Sequence, residues 1–183
     1  MFKHIFPVCA VLLSLLMVVP AAAEMNPESG EMSVDNLNAV TGFLVSDQFL
    51  VSRLKLRKLD QDPVPELISI ANDAKKKSFV RERAIKCMGL FRDKRVMVSF
   101  KDMLQSKPDQ YFSVIVMSYL EAFGEDAVKD IKPFLDNKNA DVRLTVVKGL
   151  GLFGGQSGFE LLQEHDKKEA NPQIQAEIRT YIQ

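Results

Sequence analysis

The sequence predicts an all-α fold, an α-solenoid of about four stacked helical hairpins. Three observations carry that expectation: apolar side chains recur at helical spacing, the pattern returns about every thirty residues, and no stretch alternates as a strand would. Three segments align on one phenylalanine each, Val80 to Phe91, Phe112 to Phe123 and Val142 to Phe153, so that the anchors Phe91, Phe123 and Phe153 lie 32 and 30 residues apart. Within them the apolar positions keep to one helix face: Val80, Ala84, Ile85 and Met88; Phe112, Val116, Met117 and Leu120; Val142, Val146, Val147 and Leu150. A lone hairpin of this size cannot bury its apolar face, whereas three or more copies side by side share one core.

The chain opens with Lys3 and His4, an apolar run from Ile5 to Val19, and Pro20-Ala21-Ala22-Ala23. This has the form of a secretory signal peptide, 1–23, cleaved before Glu24, and its apolar run is shorter than the roughly 20 residues a membrane span needs. Cys9 lies inside that run, without the small neighbours and downstream position of a lipid-anchored cysteine. Export is expected, to a periplasm or beyond it. Residues 24–32 are rich in Met, Asn, Pro, Ser, Gly and acids and read as a flexible leader.

The helical repeat domain spans 33–183 and is expected to begin near Ser33, with a helix carrying Val34, Leu37, Val40, Phe43 and Leu44 that caps the open end of the stack. Ser52, Leu56 and Leu59 stand in register with the anchor segments, as do Ile174, Ile178 and Ile182 at the far end. Each anchor is followed by a break and then a second amphipathic run: Val64, Leu67, Ile68 and Ala71; Val96, Phe100, Met103 and Leu104; Val128, Ile131, Phe134 and Leu135; Phe159, Leu161 and Leu162. Helix starts are signalled by Ser106-Lys107-Pro108-Asp109, by Asn139 with Asp141, and by Asn171-Pro172. Gly124 and Gly154 stand where a left-handed residue would end an anchor helix.

Lys and Arg number 24 and Asp and Glu 24, and loss of Lys3 with the signal leaves a slightly acidic chain. No electrostatic pull toward nucleic acid follows. Beyond the signal a single cysteine, Cys87, remains, so stability in an oxidising compartment has to come from packing. No second long apolar segment follows, and stable membrane insertion after cleavage is not expected.

The stretch Ala140-Asp141-Val142-Arg143-Leu144-Thr145-Val146-Val147-Lys148-Gly149-Leu150-Gly151-Leu152-Phe153-Gly154 resembles the HEAT-repeat family, in its short form named for phycobilisome lyases. The matching pattern is Asp-Val-Arg, a helix, then Leu-Gly-aliphatic-aliphatic-Gly. Val80-Arg81 keeps two of its letters and Phe112-Ser113 keeps neither the acid nor the arginine. The resemblance covers roughly Gln48 to the C-terminus and implies stacked HEAT-like hairpins and a habit of binding proteins, without implying lyase activity.

Several motifs suggest chemistry and are better read as structure. Gly149-Leu150-Gly151-Leu152-Phe153-Gly154 spells the dinucleotide fingerprint, but that motif works at a strand-to-helix turn, and here it ends a helix, where small residues permit close packing. Gly155-Gln156-Ser157-Gly158-Phe159 lacks the last glycine of a nucleophile elbow, which makes Ser157 a turn or cap residue. His165, between Glu164 and Asp166, is expected at the surface, because consecutive helical residues point about 100° apart and cannot share a metal. Cys87 is expected to be a partly buried, inert thiol. Asp126 and Asp130 alternate with Lys129 and Lys132 as on a solvated face, and Lys75-Lys76-Lys77 is expected to close a helix before Ser78.

These readings converge on an exported, non-catalytic adaptor or scaffold that binds another protein, with no catalytic residue, no cofactor and no metal site. In stacked hairpins the second helices line the inner curve. Their outward residues include Glu66, Ser69, Arg95, Lys101, Asp102, Lys129, Lys132, Glu160 and Gln163, with Met97 and Val98 adding an apolar patch. Arg95, Lys101, Lys129 and Lys132 are the expected contacts to acidic groups on the partner. The alternatives are a constitutive structural subunit of an envelope complex and, more distantly, an enzyme like the HEAT-fold DNA glycosylases. The latter needs a basic groove and aromatic stacking residues, in a chain that is slightly acidic and has no Trp.

Overall fold

The computed structural model describes residues 39–105 and 110–183, which fall in one compact unit. The signal peptide, the leader, the helix start near Ser33 with Val34 and Leu37, and the capping pattern at Ser106 to Asp109 lie outside the described residues. Among those residues the fold is all-helical, without strands: α1 (Ala39–Val45), α2 (Arg53–Leu59), α3 (Val64–Asn72), α4 (Ser78–Met88), α5 (Lys94–Gln105), α6 (Phe112–Phe123), α7 (Glu125–Ile131) running on into a 3-10 turn (Lys132–Asp136), α8 (Ala140–Phe153), α9 (Gly155–Asp166) and α10 (Pro172–Ile182).

The apolar periodicity becomes burial. Val80, Ala84, Ile85 and Met88 of α4, Phe112, Val116 and Leu120 of α6, and Val142, Val146, Val147 and Leu150 of α8 are all buried. The second runs supply the opposite wall through Leu67, Ile70, Val96, Phe100, Ala127, Ile131 and Leu162. Anchor helices pack on one another in sequence, α4 on α6, α6 on α8 and α8 on α10, while α3 packs on α5 and α7 on α9. An aromatic seam joins the two sets: Phe100 of α5 lies 5.4 Å from Tyr119, which lies 5.5 Å from Phe123. Such tilted ring contacts add about 1 kcal/mol beyond area burial.

The helix ends follow local chemistry. The Asn139 and Asn171 side chains accept from the first free amides of α8 and α10, and Pro172 opens α10. Gly124 turns α6 into α7 at φ +55, a conformation that side-chain-bearing residues rarely adopt. Between α8 and α9 the positive φ of +58 belongs to Gly155; Gly154, expected to hold it, keeps φ −74 and ends α8 by donating to the Leu150 carbonyl. Gly154 is small because Gly158 and the Leu150 carbonyl crowd it, and a Cβ there would lie 2.8 Å from the Gly158 Cα.

Four further expectations need correction. Phe91 is buried but lies beyond the end of α4, in the break itself. Leu59, expected as an anchor, is 42% exposed, because α2 is short and, among the described helices, packs chiefly on α1. The lysines 75–77 follow the end of α3 at Asn72 and form the connection to α4 rather than its last turn. Finally, α4 packs on α3 at least as closely as any anchor helix packs on its own follower, so the turn at residues 73–77 also closes a hairpin.

Candidate partner-binding site

The outward face of the second helices is best defined around α7. Lys129 and Lys132 project from it into a groove shared with Glu160, Leu161 and Glu164 of α9. On its other side Lys129 lines a second groove with Lys101 and Leu104 of α5 and with Pro133 and Phe134. Three of the four expected contact residues thus line two adjoining grooves that share Lys129. Lys129 and Lys132 are exposed and make no ion pair among the described residues. Lys101 is half-buried and paired at 3.3 Å with Asp130.

Arg95 stands apart, at the start of α5. Its guanidinium grips Asp62 through both oxygens at 2.7 and 2.9 Å and Asp93 at 2.7 and 3.0 Å. These bonds hold both carboxyls below the usual carboxylate range and push the guanidinium's pKa up. A forked, doubly paired arginine is poorly available to a third carboxylate, so the structure separates Arg95 from the other three. Of the remaining outward residues, Ser69, Asp102, Glu160 and Gln163 are exposed, as is Val98, whereas Met97 packs against the core and Glu66 is half-buried.

Asp126 lies on a solvated face, as expected, whereas Asp130 is half-buried and held from two sides. Asp126 pairs with Arg92. Asp130 accepts from the Tyr119 hydroxyl at 2.7 Å as well as from Lys101. Burial, followed by the bond to Asp130, raises the Tyr119 phenol. Glu125 reaches across to α9, where it accepts from the Gln156 amide at 2.7 Å and the Ser157 hydroxyl at 3.2 Å. Ser157 is therefore a first-turn residue whose hydroxyl donates to the Glu125 carboxylate.

His165, expected at the surface, is 3% exposed. It faces inward because Glu169, one turn on, is itself buried and needs donors: His165 Nε2 lies 3.1 Å from Glu169 Oε2, and Arg143 Nε and Nη2 donate to the same carboxylate at 2.8 and 2.9 Å. The Asn171 amide adds a fourth contact at 2.9 Å. The Arg143 bonds, set against burial, hold the Glu169 carboxyl down at about 2. Arg143 also donates to the Asn137 and Lys138 carbonyls. Arg81, at the matching place in α4, donates to the Ala71 carbonyl and stacks 4.6 Å from the Tyr111 ring centre. The repeated arginine is thus a staple between neighbouring segments. Sequence reasoning missed this network, although the His165 to Glu169 spacing of one turn was visible.

The dinucleotide-like glycines also serve packing. A Cβ on Gly149 would sit 2.8 Å from Leu120 Cδ1, and one on Gly151 would run into the Tyr181 ring of α10. Cys87 is fully buried, and burial raises its thiol to about 12, so it is rarely ionised. Among the described residues no group of three His, Cys, Asp or Glu side chains is placed to hold a metal ion, and no helix is long and apolar enough to cross a membrane. No protein-family model and no curated protein matches the chain.

Proposed function

We propose that this chain is an exported, non-catalytic adaptor that binds another protein, built as a solenoid of about four HEAT-like hairpins. The observation that carries this reading is the division of labour between helices. Anchor helices spend their apolar faces on one another, while Lys101 of α5, Lys129 of α7 and Lys132 just after it line two adjoining grooves on either side of α7. Mixed charge beside Leu104, Phe134 and Leu161 suits a folded domain or peptide with acidic groups around an apolar centre. Export rests on residues 1–23, and the solenoid on the recurrence of Phe91, Phe123 and Phe153 with their buried companions.

The test is capture from an envelope fraction with the tagged full chain, followed by mass spectrometry. Recovery of one protein in near-equal amount is the expected result, with loss of that protein when Lys101, Lys129 and Lys132 are changed to Glu. Unchanged capture by the triple variant would move the site away from α7, and a chain that recovers nothing would end the adaptor reading.

A further inference from the structure

The densest unpartnered surface lies elsewhere, on α2 and the segment before it. In the seven residues Arg53–Leu59, Arg53, Lys55, Arg57 and Lys58 are cationic and no residue is acidic. None of the four makes an ion pair among the described residues, although Lys86, Arg92, Arg95, Lys101, Arg143, Lys168 and Arg179 all do. The same stretch holds Leu50, Val51, Leu54 and Leu59, four of the seven large apolar side chains that stand exposed among the described residues, with Leu50 at 63% and Leu54 at 67%. Uncompensated cations and exposed apolar side chains are independent signs of a missing partner, and here they fall within ten residues.

Arg53 and Arg57 lie one turn apart with their guanidinium carbons 5.6 and 6.0 Å from the centre of the same Phe91 ring. Like charges at that spacing repel. They border a recess whose other charges are already matched, Arg95 by Asp62 and Asp93, and Arg92 by Asp126. A carboxylate set between the two arginines would relieve the repulsion and receive forked hydrogen bonds over an aromatic floor.

We infer that α2 with Leu50 and Val51 is a docking surface for an acidic peptide segment of a protein partner, its carboxylates held by Arg53 and Arg57 over Phe91 and an apolar side chain set against Leu54. The inference rests on the protein-binding reading above and adds to it a second surface and the chemistry of the segment that covers it. A peptide fits better than an anionic bilayer for a geometric reason. Leu54 and Leu59 point about 140° apart around the helix, so no single plane takes both, whereas a chain can follow the curve.

The experiment measures fluorescence anisotropy of a labelled synthetic peptide of repeated Glu-Glu-Leu against the full chain, with a Lys-Lys-Leu peptide and phosphatidylglycerol vesicles as parallel probes. The acidic peptide is expected to bind and the basic one not to bind. The Arg53→Gln/Arg57→Gln variant should weaken binding at least about tenfold, and Leu54→Ser several-fold, with unchanged helical circular dichroism. No binding of the acidic peptide, equal binding by the arginine variant, or variant-sensitive binding to vesicles in place of the peptide would each overturn the inference. Envelope capture separates the two readings. Loss of the partner on changing Lys129 and Lys132 but not on changing Arg53 and Arg57 removes this surface and leaves the adaptor.

Discussion

Replacing Glu169 by Gln leaves the shape of the side chain and removes its charge. In the native fold this carboxylate is 6% exposed and accepts from Arg143 Nε and Nη2 and from the Asn171 amide, with His165 Nε2 beside it. A Gln amide offers one acceptor oxygen where two served, and its own N–H groups then face other donors. Arg143 is left with an unmatched charge in a setting where its side chain is only 17% exposed. Removing one partner of a buried pair costs about 3–5 kcal/mol, and the partial access of Arg143 to water puts this case near 3 kcal/mol. For a chain of this size that is about 6–12 °C in Tm. Urea unfolding followed by circular dichroism reads the change, and a double-mutant cycle with Arg143→Met isolates the pair. A Glu169→Gln variant within about 0.5 kcal/mol of wild type would refute the reasoning, because it would mean that the network is not formed or not buried.

The same carboxyl gives a pH dependence of known sign. Its folded-state pKa of about 2 lies below the ordinary 4.5, so its contribution is complete above the ordinary value and is lost as pH falls through the folded one; urea midpoints in that acid range should fall more steeply for wild type than for Glu169→Gln. Gly151→Ala puts a methyl into the Tyr181 ring and should cost about 1–3 kcal/mol by overpacking, with α10 loosening first in hydrogen exchange. Leu120→Ala, at a fully buried site between α6 and its neighbours, should cost about 3 kcal/mol in the same urea assay. Cys87, fully buried and with its thiol raised to about 12, should resist a thiol reagent in the native chain and react at once in denaturant; fast native labelling would contradict that placement.

The sequence disclosed the helices because packing against neighbouring helices buries one face of each, and that demand is written in Val80 to Met88, Phe112 to Leu120 and Val142 to Leu150. It disclosed the caps at Asn139 and Asn171 because those depend on one side chain and its nearest amides. Gly154 and Gly155 were confused because both are glycine, and only the fold decides which takes the positive φ. His165 was misplaced because its burial depends on Arg143, 22 positions earlier in the chain, and on Glu169, which a residue-by-residue reading treats as surface charge. Helical projection placed Lys101, Lys129 and Lys132 on the side where they line two grooves, but it could not show that Arg95 is already paired, since its partner Asp62 lies 33 residues away.

Hydrogen exchange of the full chain, alone and with the captured partner, tests the central claim of binding without chemistry through a defined flank. Slowed exchange in α7 and the facing turns of α5 and α9, together with residues 50–59, is the result the account predicts. Protection confined to the outer turns of α6 and α8, or no protection anywhere while the captured protein is covalently altered, would contradict it.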